Sequence, residues 1–89
     1  MPTDNPMLEL KSRGFLTRLL QRSGGDTGVR LNAGEVGEEL GLPLEQTLEI
    51  VAALHLRGAL HRCGRLNPPR GPEVHLTGRG ITEAVRAAA

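Results

Sequence analysis

Residues 38–51 read "EELGLPLEQTLEIV", and the fold turns on how this stretch is punctuated. Ala33, Val36 and Leu40 fall on one helical face, and Gly41 suits the left-handed residue that closes a helix. Pro43 then fits at or just before the first turn of another helix, where its missing N–H costs nothing. The stretch is therefore two helices joined by a tight turn. The second runs from about Leu44 to Arg57 and stops at Gly58.

Working outward, Asn32 followed by Glu35 forms a capping box and starts the shorter helix at Ala33, which predicts a two-helix unit over residues 32–57. Upstream, Asn5-Pro6 is a helix start, and Leu8, Phe15, Leu16, Leu19 and Leu20 recur at roughly helical spacing. This predicts helix 1 over residues 5–22, weakened near its middle by Gly14, at a cost of about 1 kcal/mol relative to Ala. "SGGDTG" ends it, and "VRL" leaves room for only a very short strand. After Gly58 the period changes from helical to alternating: "ALHRC" and "EVHL" flank the turn-rich "GRLNPPRGP". A hairpin over residues 59–76 follows. With its loop at 64–72, Leu60 and Leu76 pair toward the core, and His61 and His75 pair on the outer face. Thr77 can cap a last helix that reaches about Ala87.

Composition sets bounds on this arrangement. The chain has 89 residues, an apolar content of 38%, one Phe and no Trp or Tyr, so it reads as one small domain with an aliphatic core. The single Cys63 excludes an internal disulfide and suits a reducing compartment. The N-terminal residues lack an apolar signal region, and the longest apolar run is Ile50–Leu54, so a cytoplasmic location without a membrane span is expected.

The resulting order, α1-β1-α2-α3-β2-β3-α4, is that of an α+β winged helix-turn-helix. "NAGEVGEELGLPLEQTLEIVAALHLRGAL" resembles the family's run of capped helix, Gly-Leu turn, second helix and strand. "HLTGRGITEA" resembles the strand-to-helix closing of MarR-like and PadR-like transcription regulators. The resemblance covers about residues 30–86. It implies a small DNA-binding protein with its third helix toward the major groove and its wing along the backbone or minor groove.

The charge map complicates that expectation. The formal net charge is only +1, but it is unevenly spread. Residues 33–56 hold five glutamates and nothing basic, whereas residues 57–79 hold five arginines against Glu73. On the family pattern, Thr47, Ile50, Val51 and Leu54 turn inward, leaving Glu45, Gln46, Leu48, Glu49, Ala52, Ala53 and His55 outside. Gln46 suits an adenine edge, but two glutamates oppose phosphates. Arg62, Arg65 and Arg70, with Arg79 close in sequence, are the better phosphate contacts.

Leu44, Leu48, Ala52 and Leu56 recur every four residues beside the inward face. With Glu45 and Glu49 they form the alternative site, a protein-interaction surface for a partner or a second copy in a homodimer. A different rotation of the helix, or wider cover by helix 1, would instead place this row inside the core. His61, Cys63 and His75 offer ligand types for zinc or copper, but no His-x₃₋₅-His or Cys-x₂-Cys spacing is present. Polar residues are ordinary on the exposed face of a hairpin, so no metal or other cofactor is expected. No phosphate loop or nucleophile elbow is present, and an enzyme is not expected.

Overall fold

The computed structural model describes residues 6–63 and 72–88. Four helices and a three-stranded antiparallel sheet follow in the order α1 (Pro6–Ser23), β1 (Leu31–Asn32), α2 (Ala33–Glu39), α3 (Leu44–Leu56), β2 (Leu60–Cys63), β3 (Glu73–Leu76) and α4 (Gly78–Ala88). This is a winged helix-turn-helix. The N-terminal Asn5 cap and the loop arginines Arg65 and Arg70 lie outside the described residues.

The local signals act as their chemistry requires. Asn32 caps α2, its side-chain oxygen accepting from the Glu35 amide at 3.0 Å. Both helices of the central unit close by the same device. At the end of α2, the Gly41 amide donates to the Glu38 carbonyl (3.0 Å), and the Leu42 amide donates to that of Gly37 (2.8 Å). At the end of α3, the amides of Gly58 and Ala59 donate to the carbonyls of His55 (3.0 Å) and Leu54 (2.9 Å). This paired closure needs a left-handed residue, and both glycines supply it, Gly41 at φ 73° and Gly58 at φ 77°. Leu40 and Arg57 are therefore caps rather than last helical residues.

The helix-turn-helix crossing depends on a missing side chain. Thr47 is buried in α3, and a Cβ added to Gly37 of α2 would lie 2.1 Å from its Oγ1. The Thr47 hydroxyl is satisfied locally, donating to the Pro43 carbonyl at 3.1 Å.

In the sheet β3 is central, between β1 and β2. Leu60 faces Leu76 and His61 faces His75, the register expected from the alternation, while Leu31 of β1 faces Val74. Val74 and Leu76 point into the core with Phe15, Leu19, Ile50 and Leu54. Thr77 caps α4 by accepting from the Gly80 amide at 3.0 Å, and α4 returns the chain onto α1.

Two helical glycines look alike in sequence and differ in the fold. A Cβ on Gly14 meets nothing within 4 Å, whereas one on Gly80 would lie 1.8 Å from the Ala59 carbonyl oxygen. Gly14→Ala should therefore stabilise the fold by about 0.5–1 kcal/mol. Gly80→Ala should destabilise it by about 1–3 kcal/mol through overpacking. Urea unfolding of the two variants reads both signs, and stabilisation by both would contradict this packing. Leu54→Ala should cost about 2–5 kcal/mol in the same measurement, since the side chain is fully buried.

Candidate functional site

The rotation of α3 decides what the domain can present. Thr47, Ile50, Val51 and Leu54 are buried, the face expected to turn inward in a winged helix-turn-helix. Leu44, Leu48, Ala52 and Leu56 are consequently left in solvent, with Glu45 and Glu49 exposed beside them. Helix 1 does not cover this row.

Three positions expected on the outer face are instead half-buried: Gln46, Ala53 and His55. Gln46 leans toward α1, where its side-chain oxygen accepts from Lys11 Nζ at 2.9 Å. Reading a base edge would require exchange of that bond. His55 sits where the end of α3 meets β2, with Nδ1 3.4 Å from the Leu60 carbonyl oxygen.

The fold also redistributes charge. Glu39, which the linear map groups with the acidic segment, turns to α1 and pairs with Arg18 (3.6 Å) and Arg22. Glu9 of α1 pairs with Arg13 (3.4 Å) and Arg57 (3.6 Å), and Glu83 of α4 also holds Arg57. Glu45 and Glu49 have no ion-pair partner among the described residues. After this pairing, the carboxylates of the acidic segment are not one continuous field. Those of α3 remain uncompensated.

Of the expected wing contacts, Arg62 is exposed on β2, opposite Val74 and near the point where the strand enters the loop. Arg65 and Arg70 fall in the segment outside the described residues. Arg79 is placed differently from its sequence grouping. It starts α4 at the base of the hairpin, and a Cβ on Gly58 would lie 3.8 Å from its Cδ. A strand length therefore separates it from the loop end.

Arg79 belongs to a cleft of about 710 Å³ between α1 and α4. Arg13, Arg57 and Arg86 share its lining with Glu9 and Glu83. Sequence reasoning did not single out this cleft. The available signal was the spacing of Arg79, Glu83 and Arg86 on one face of α4, together with Glu9 and Arg13 one turn apart on α1.

The His61 and His75 rings face each other, as the register requires, with centroids 5.5 Å apart. His55 joins them, 6.0 Å from His61, a neighbour that strand pairing alone does not reveal. Cys63 is a half-buried free thiol opposite Glu73. Among the described residues, no group of three or more His, Cys, Asp or Glu is arranged so that it could hold a metal ion. Nor, among those residues, is any helix long and apolar enough to cross a membrane.

No family model and no curated protein matches the chain. Among solved structures, it is similar to a MarR family protein of Mycobacterium tuberculosis determined in complex with salicylic acid. That likeness has a TM-score of 0.51 and 18% identity over 99% of this chain and 75% of the other. At this identity it is a likeness of fold, the winged helix.

Arg57 bridges the two helices that line the cleft, through Glu9 on α1 and Glu83 on α4. Its side chain is 41% exposed, so solvent and salt screen both pairs. Arg57→Ala should lower stability by less than about 1 kcal/mol, and the loss should shrink in high salt. Chemical unfolding at low and high salt measures both. A large loss that is independent of salt would mean that the arginine stem, not its charge, holds the helices together.

Proposed function

We propose that this chain is a small DNA-binding winged-helix protein of the transcription-regulator kind, with the wing arginines supplying the phosphate contacts. The observation that carries this reading is the exposed Arg62 at the entrance to a wing segment that also bears Arg65 and Arg70. Between residues 60 and 76 these three arginines stand against one carboxylate, Glu73. Neutralising phosphates releases condensed counterions, and this is a major source of duplex affinity. Helix α3 lies toward the major groove, where Gln46 offers a base-edge contact once it leaves Lys11. Glu45 and Glu49 oppose phosphate there, so affinity rests on the wing. The likeness to a MarR family protein supports the reading at the level of fold.

A second reading is a winged helix that serves as a protein-interaction module without DNA binding. The absence of ion-pair partners for Glu45 and Glu49 among the described residues favours it.

Titrating random-sequence duplex at low and moderate salt tests the DNA reading. The parent should bind with a clear inverse dependence on salt. Arg65→Ala with Arg70→Ala should weaken binding to every sequence and reduce the slope of log K against log salt by about two. Adding Arg62→Ala should reduce it by about one more. Gln46→Ala should alter sequence preference rather than the slope. Absence of duplex binding at low salt, or an unchanged slope in the arginine variants, would overturn the wing assignment.

A further inference from the structure

The exposed side of α3 carries two parallel rows. Leu44, Leu48, Ala52 and Leu56 lie one turn apart in the first, and Glu45 and Glu49 form the second beside it. The leucines are well exposed, Leu44 at 49%, Leu48 at 41% and Leu56 at 86%. From Leu44 to Leu56 the row is about 18 Å long at 1.5 Å per residue, enough to take a few turns of another helix.

We propose that this face of α3 docks a basic amphipathic helix of a partner protein. Apolar side chains of the partner would lie along the leucine row, and its lysines or arginines would meet Glu45 and Glu49. Spacing argues for a helix: residues every four positions form the ridge that another helix's grooves accept, and Ala52 gives room for close approach.

Charge argues for a basic partner. Among the described residues, Glu9, Glu39 and Glu83 are each held by an arginine of this chain, while Glu45 and Glu49 are not. Charge also argues against a two-fold contact with a second copy. A parallel two-fold α3–α3 contact would bring both glutamate pairs together, and an antiparallel one centred on the row would set Glu49 close to its copy, so both bring like charges together. Against duplex DNA the same carboxylates meet phosphates. The proposal stands whether or not the wing binds DNA.

Fluorescence anisotropy of the full chain with two synthetic helical peptides provides the test, one of lysine and leucine and one of glutamate and leucine in the same amphipathic pattern. The lysine peptide should bind and the glutamate peptide should not. Glu45→Gln with Glu49→Gln should weaken binding on the order of tenfold and slow association. Glu35→Gln on α2 removes a charge elsewhere and should have little effect. Leu48→Asp and Leu56→Asp are the deciding variants, because each adds negative charge while removing an apolar contact. Attraction by charge alone would strengthen under both, whereas docking on the row should weaken by tenfold or more.

Thermal unfolding checks each variant. Should Leu48→Asp fail to fold, Leu56→Asp decides alone, since that side chain is almost wholly in solvent. Binding that is unchanged or tighter in the folded aspartate variants overturns the proposal, as does equal binding of both peptides. A parent dimer in sedimentation that the folded aspartate variants dissolve would assign the face to a second copy and overturn it as well.

Discussion

The Gly58–Ala59 junction is where the helical and sheet parts of the molecule are tied together. Its amides close α3, and its carbonyls take up the chain returning from β3. The Gly58 carbonyl accepts from the Thr77 hydroxyl at 2.5 Å, and that of Ala59 accepts from the Thr77 amide at 3.1 Å. The Thr77 oxygen in turn accepts from the Gly80 amide, so one residue joins the end of α3 to the start of α4. Gly80 must lie almost on the Ala59 carbonyl for this to happen. Satisfying these part-buried backbone groups fixes how β2 leaves α3 and how α4 follows β3.

A second constraint is how the charges are shared. α1 is the meeting place for carboxylates and guanidiniums that lie far apart in sequence. Glu39 reaches it from α2, and Arg57 reaches Glu9 from the end of α3. These pairs are exposed and contribute little stability each. Their larger consequence is subtraction. They engage four arginines and three glutamates with one another, so those charges partly cancel. What remains is opposite in sign on α3 and β2, carboxylates on the first and Arg62 on the second.

That opposition suggests a division of work within one fold. In the proposed DNA-binding reading, duplex affinity needs phosphate neutralisation, for which the wing sequence supplies arginines and α3 supplies carboxylates. A leucine row next to carboxylates that have no ion-pair partner among the described residues suits a basic, amphipathic protein surface instead. A winged helix with this charge pattern need not use its central helix as its main anchor on DNA. The fold permits both uses, and the side chains on each element discriminate between them.

Local chemistry was legible in the sequence. Asn32, Gly41, Gly58 and Thr77 act within a few residues of themselves, and each marks the element boundary its side chain or backbone demands. The hairpin register was legible once the loop was set at 64–72, which pairs Leu60 with Leu76, while period-two alternation fixed only the face that Leu60, Val74 and Leu76 share. The inward face of α3 came from the resemblance to the winged-helix pattern, because apolar residues recur on two sides of that helix and periodicity alone left its rotation open. What the tertiary structure alone decided concerns residues brought together from distant segments. Nothing near Gln46 announces Lys11, nothing near Glu39 announces Arg18 and Arg22, and adjacency to the wing in sequence put Arg79 with the loop when it lies at the hairpin's base. Gly14 and Gly80 make the same point: both are helical glycines, yet one faces open space and the other a carbonyl oxygen. Periodicity and capping are local and can be read along the chain, whereas ion pairing and close approach depend on distances that exist only after the chain has folded.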